Sequence, residues 1–356
     1  MAEQLKGGIT TGSCAALAAK AAALLLFKQQ RVNDVEITLP DNSCLTWPIE
    51  SVQRHGSAVT ACIIKDAGDD PDVTHGARLC VTIESPSDPD NNEIIFRAGE
   101  GVGTVTLAGL AIAVGEAAIN PVPRTMISAA VRDVTPCGAI VTVAVEGGRE
   151  LAQKTFNPKL GIEGGISIIG TTGRVRPFSA PALRESLKCA LDVCVAAITC
   201  APVFVPGNMG RKAAHHYFNL REQQVVEISN EWGFMLEQAM QHPFENLLIV
   251  GHPGKLGKLA IRQWQTHSNQ SDSAVPFICT LASQILDRPI AECNTVEELF
   301  MGVLNEQERT KVADQLAAEI GKAIVDTFDS HWHPTVVLIN LKGEMIGHAG
   351  ELDTWK

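Results

Sequence analysis

Near residue 180 the rhythm of this chain changes, and no other feature restricts its fold so tightly. Before that point, short β-branched or alternating runs follow one another at hairpin spacing: 34–39 (DVEITL), 44–49, 58–65 (AVTACIIK), 77–84 (ARLCVTIE) and 93–97. Pro40-Asp41-Asn42-Ser43 is a turn of the kind that separates such strands. A helix around 123–133 and a strand around 139–145 complete this stretch. Beyond it, apolar strands alternate with helices: helix 181–198, strand 202–206, helix 210–218, strand 224–229, helix 231–242, strand 246–251 and a helix from 256. Parallel strands need a crossover, so this alternation predicts a parallel sheet flanked by helices. The expected fold is an α+β domain with hairpin strands at 1–190, followed by an α/β, Rossmann-like, doubly wound domain at 191–356. The second domain ends in a polar-faced helix (306–327) and a hairpin about Lys342-Gly343. A chain of 356 residues exceeds a typical single core, which agrees with two domains.

Thr10-Thr11-Gly12-Ser13 precedes an alanine-rich run to about Gln30, which predicts a capped, largely buried helix. Residues 15–27 resemble a signal-peptide core, but Lys20 interrupts the run and no clear cleavage site follows. No segment reaches the ~20 apolar residues that cross a bilayer. A net charge of −11 and aromatics at 5% argue against nucleic acid and anionic membrane as partners. Ten cysteines fall singly inside apolar runs, Cys62 and Cys80 among them, with no CxxC pair. The expectation is free, mostly buried thiols in a reducing cytoplasm. Cys14, at the start of the first helix, reads as a small buried residue, with a helix-activated thiol as the alternative.

Lys65 to Gly76 (KDAGDDPDVTHG) concentrates Asp66, Asp69, Asp70, Asp72 and His75 in backbone shaped by glycine and proline. Carboxylates this close repel unless solvated, paired with cations or bound to metal, so the segment predicts either a site or a solvated acidic turn. Asp69, Asp70 and His75 are its catalytic candidates. Between Thr155 and Pro177, Gly164 and Gly165 open the backbone and Thr171 and Thr172 supply hydroxyls. Lys154, Lys159, Arg174 and Arg176 add the cations a carboxylate or phosphate needs. Gly101 and Gly103 lie in a GxGxG run that is weak as a dinucleotide fingerprint. At the carboxyl ends of the predicted parallel strands stand Asn208, then Ser229 and Asn230, then Gly251-His252-Pro253-Gly254-Lys255-Leu256-Gly257-Lys258, where such sheets bind ligands. Thr266-His267-Ser268 is placed at the end of the following helix. His215-His216 and His331-His333 lack a spaced acidic or thiol partner, so no metal site is expected.

In order along the chain, these segments resemble the cobalt-precorrin-5B C-1 methyltransferases, the CbiD family. The matching blocks run from Gly8-Ile9-Thr10-Thr11-Gly12-Ser13-Cys14-Ala15 through Lys65 to Gly76, Gly99 to Thr106, Ala118 to Arg124 and Thr155 to Gly173. They continue with Pro206-Gly207-Asn208, Ser229-Asn230, Gly251 to Lys258 and Thr266-His267-Ser268. Departures include Ile9 for an aromatic, Arg262 for a glycine and Ala274 for an arginine. The resemblance implies methyl transfer from S-adenosyl-methionine to C-1 of cobalt-precorrin-5B, giving cobalt-precorrin-6A in anaerobic cobalamin biosynthesis. It implies a carboxylate-rich macrocyclic substrate that carries its own cobalt, and a cytoplasmic enzyme whose oligomeric state is left open. Thr10, Thr11, Gly101, Gly103, Gly164, Gly165, Thr171, Thr172, Asn208, Ser229, Asn230, Gly251, His252, Lys255, Lys258 and His267 are the binding candidates. Two rival readings stand beside it: a magnesium-dependent enzyme on an anionic substrate, and a divergent tetrapyrrole-binding protein.

Overall fold

A computed structural model describes residues 5–88, 91–197, 201–290, 293–329 and 331–356; Cys200 and residue 198 of the expected helix 181–198 lie outside them. The chain divides into two compact units of mixed helix and strand, Met1–Pro181 and Ala182–Lys356.

Unit 1 is organised by helix α1 (Thr11–Lys28). Thr10 caps it, its Oγ1 accepting the Ser13 amide at 3.1 Å. A five-stranded sheet lies under α1, made of β1 (Ser51–His55), β2 (Ala58–Ile64), β3 (Arg78–Glu84), β4 (Ile94–Ala98) and β5 (Ala139–Val145). Its order is β1-β2-β3-β5-β4, antiparallel except where β5 meets β4. The alanines from Ala15 to Ala23 are buried against β2, β3 and helix α2 (Pro121–Arg132), small enough to let the backbones approach. By length and composition α1 is apolar enough to cross a membrane, but 67% of it is buried inside the unit, the pattern of a core helix.

Cys62 and Cys80 stand directly opposite each other on β2 and β3, Cα atoms 4.1 Å apart, and form a disulfide. This corrects the expectation of free thiols. Strand register brings the two together, and the apolar context of each cysteine alone does not show it. Cys44 and Cys137 are exposed, whereas Cys14 and Cys194 are buried.

Unit 2 begins with α3 (Ala180–Ala197), which spans the boundary. It continues through β6 (Val203–Val205), α4 (Asn208–Tyr217), β7 (Val225–Glu227), α5 (Trp232–Ala239), β8 (Asn246–Gly251) and α6 (Pro253–Ala260). After them come α7 (Val275–Leu286), α8 (Glu306–Phe328), β9 (His333–Ile339) and β10 (Met345–Ala349). The sheet order is β7-β6-β8-β9-β10, parallel except for the antiparallel edge β10. Alternate residues feed two cores: Phe204, Leu247 and Ile249 on one face, Val203, Leu248 and Val250 on the other.

Helix α6 departs from expectation. It starts at Pro253 and stops at Ala260, because Arg262 takes a left-handed φ of +60°. Thr266-His267-Ser268 therefore lies in a loop and not at a helix end, and α7 forms where no helix was read.

Gly165 and Gly164 separate two roles of glycine. Residues Gly101–Val102 pair in parallel with Gly165–Ile166, and a β-carbon on Gly165 would fall 2.2 Å from the Gly101 carbonyl. Gly164 has a φ of +85° with open space around it. Gly165→Ala is expected to cost about 3 kcal/mol by overpacking, and Gly164→Ala about 1 kcal/mol by backbone strain. Urea denaturation of both variants checks this; equal losses would contradict it.

Candidate functional site

In unit 1, segments far apart in sequence meet at the first turn of α1. The Gly12 amide donates to the Ile169 carbonyl at 3.0 Å, and the Thr11 hydroxyl accepts the Ile169 amide at 2.9 Å. Ser13 Oγ donates to the Gly173 carbonyl at 2.6 Å. Residues Gly8–Ile9 pair with Arg174–Val175, and Ile9 N donates to the Asp66 carbonyl at 2.8 Å. The candidates Thr10 and Thr11 are thereby buried under the loop that carries Thr171 and Thr172, which are exposed. The amides of Gly12, Ser13 and Cys14 are already bonded within the chain. Burial pushes the Cys14 thiol up to about 12, which suits a small core residue and not an activated thiol.

The acidic segment holds its carboxylates one by one. Lys65 is buried, and its Nζ donates to Asp72 Oδ2 at 2.7 Å; Asp72 Oδ1 accepts the amide and hydroxyl of Thr74 at 2.7 and 2.6 Å. Burial works against ionisation of Asp72, but Lys65 and the Thr74 donors outweigh it and hold the carboxyl below the usual range. The Asp66 carboxyl is also held low, first by the Lys6 ammonium at 2.8 Å and then by the Gly68 amide at 2.8 Å. Asp69 Oδ2 accepts the Lys6 amide at 2.5 Å, and Asp70 Oδ1 accepts the Phe178 amide at 3.0 Å. His75 is exposed, and its Nδ1 accepts the Ala67 amide at 3.1 Å, which leaves the proton on Nε2. Each carboxylate thus has its own hydrogen-bond partner within the chain.

Gly101, Gly103 and Gly165 are buried where backbones cross: a β-carbon on Gly103 would meet Ile162 at 2.4 Å, and one on Gly101 the Val145 carbonyl at 2.0 Å. Gly164 alone of the four opens to solvent.

The second group lies at the carboxyl ends of the parallel strands of unit 2. The chain leaves β6 to one side of the sheet and β8 continues on the other, so their ends meet where strand order reverses. Gly251 packs there on Pro206, beside exposed Asn208. His252 caps α6: Nδ1 accepts the Gly254 amide at 3.0 Å and Nε2 donates to Glu297 Oε2 at 2.9 Å. Lys258 is buried, its Nζ donating to the Thr266 carbonyl at 3.2 Å and to Ser271 Oγ at 2.7 Å. Burial first, then the Lys258 cation, holds Lys255 below the ordinary lysine value. Asn230 binds Thr266 through both backbone and side chain, and Ser229 has a left-handed φ of +56°. His267 is exposed, and its Nδ1 accepts the Asn269 amide at 3.2 Å. Glu297 and Ser271 are the residues that sequence reading missed. Glu297 lies 45 positions from His252, and no local pattern announces the pairing.

A family model described as CbiD matches residues 1–177. A protein of Syntrophotalea carbinolica named cobalt-precorrin-5B C(1)-methyltransferase is 46% identical over 352 residues, covering 99% of both chains. One of the same name from Alkaliphilus metalliredigens is 39% identical, covering 98% of this chain and 93% of its own. The chain belongs to the CbiD family. A crystal structure of a cobalamin biosynthesis protein (cbiD) from Archaeoglobus fulgidus matches at 27% identity and a TM-score of 0.39, covering 70% of this chain and 78% of that one. Within the CbiD resemblance, the departure at Arg262 falls on a left-handed backbone position, one that glycine occupies without strain.

Asp72→Asn would leave the Lys65 ammonium buried without a counter-charge, at an expected cost of about 3 kcal/mol at pH 7. A carboxyl held low in the folded state stabilises fully above its unfolded value near 3.9, as a rough reference, and less as pH falls through the folded value. Wild type should therefore lose stability faster than the variant as pH drops into that window, and their urea midpoints should converge. A gap that stays constant on acidification would contradict the ion pair's role.

Proposed function

We propose that this chain transfers a methyl group from S-adenosyl-methionine to C-1 of cobalt-precorrin-5B, forming cobalt-precorrin-6A. The observation that carries the reading is 46% identity, over 99% of both chains, to a relative named cobalt-precorrin-5B C(1)-methyltransferase. S-adenosyl-methionine supplies an electrophilic methyl: the S–CH₃ bond breaks with its electron pair left on sulfur, C-1 donates the pair for the new C–C bond, and a proton leaves to balance charge. The protein's tasks are then to position two partners and exclude water, with no protein nucleophile needed. A fully buried Cys14 thiol agrees with that.

The acidic segment has a part to play in positioning. Asp69 and Asp70 are each fixed by a backbone amide yet not buried, so they present oriented charge at little cost in ordering. We assign them and His75 to the reaction centre, with His75 donating through Nε2. The exposed cations Lys154, Arg174 and Arg176 are suited to the peripheral carboxylates of the macrocycle. No observation favours the magnesium reading, since Asp66 and Asp72 are committed to lysines.

Incubating the chain anaerobically with cobalt-precorrin-5B and methyl-labelled S-adenosyl-methionine should yield a product carrying one labelled methyl at C-1, with S-adenosyl-homocysteine released. Recovery of both reactants unchanged would refute the function. In the same assay Asp70→Asn, which keeps an oxygen for the Phe178 amide, should melt near wild type. Its turnover should fall about a hundredfold. A variant that melts much earlier but keeps its turnover would make the segment a scaffold.

A further inference from the structure

Unit 2 contains a cavity of about 840 Å³ beside the carboxyl end of β8, within the range of small-molecule sites. Its walls carry charge of both signs. Lys258 lines it, 8% exposed, and among the described residues its Nζ donates only to neutral acceptors, the Thr266 carbonyl and Ser271 Oγ. An ammonium carries three protons, so one remains for a further acceptor. Among the described residues no carboxylate pairs with it, and half-buried Lys255 nearby adds repulsion instead of relief. A buried cation of this kind is costly until an anion meets it. Glu297, oriented by His252, and exposed Glu298 line it as well. A polyanionic macrocycle would face those two acids. A small zwitterion would find a partner for each of its charges.

We propose that this cavity is the methyl-donor pocket and takes the amino-acid end of S-adenosyl-methionine, with the carboxylate on Lys258 and the cationic groups toward Glu297 and Glu298. The assignment rests on reading the chain as a methyltransferase that uses this donor. It gives Lys258, one of the binding candidates, a ligand group of its own.

Calorimetry on the full chain with two probes tests it. S-adenosyl-homocysteine carries the amino-acid end; 5′-methylthioadenosine keeps the nucleoside and thioether without it. Lys258→Met retains the apolar stem and removes the charge. Its affinity for S-adenosyl-homocysteine should fall about tenfold or more, while that for 5′-methylthioadenosine stays within about twofold of wild type. Equal affinity of variant and wild type for S-adenosyl-homocysteine overturns the pocket. So does an equal loss for both probes. Should circular dichroism show Lys258→Met unfolded, Ser273→Phe on the exposed rim should weaken both probes, and unchanged affinities overturn the pocket. A wild type that transfers methyl groups while Lys258→Met binds normally refutes the pocket alone. A wild type that neither binds S-adenosyl-homocysteine nor transfers methyl refutes the function beneath it.

Discussion

The first turn of α1 is reached by chain segments that can meet there only because glycine has no β-carbon. A β-carbon on Gly8 would lie 2.2 Å from the Ala67 backbone, on Gly68 2.2 Å from the Lys6 carbonyl, and on Gly170 2.4 Å from the Thr10 side chain. Each distance is far inside van der Waals contact, so none of these positions accepts another residue without moving its neighbours. The acidic segment and the 169–173 loop are held against α1 by these contacts and by the hydrogen bonds that cross them. The alanines of α1 continue the same economy of volume down to the sheet.

Electrostatics then differ between the two units. In unit 1 the buried Lys65 has its counter-charge in Asp72, so the cation is part of the scaffold. In unit 2, among the described residues, the buried Lys258 is met only by neutral oxygens. Two lysines with similar burial therefore serve different ends. The first holds a loop, and the second is left with binding capacity that the described residues do not use.

Much of this was legible in the sequence, and the gaps have physical causes. The alternation beyond residue 180 foretold the strands that became β6, β7 and β8, since buried parallel strands leave apolar runs. The collinear motif blocks foretold the family. That Gly101, Gly103 and Gly165 sit hard against neighbouring chain was not legible, because a glycine that admits a ligand and one that admits another segment look alike in one dimension. The Cys62–Cys80 disulfide and the His252–Glu297 contact depend on strand register and on a 45-residue excursion, neither of which leaves a local pattern. The end of α6 was placed too late because Arg262, a good helix former, sits at a left-handed turn that its own propensity argues against.

The central claim is that the cavity at the end of β8 in unit 2 takes the methyl donor. A crystal structure of the chain grown with S-adenosyl-homocysteine addresses this most directly. Ligand density is expected in the cavity at the end of β8, with its carboxylate within hydrogen-bond reach of Lys258 Nζ. Density seated instead on Asp69 and Asp70, with the cavity holding only water, would contradict it.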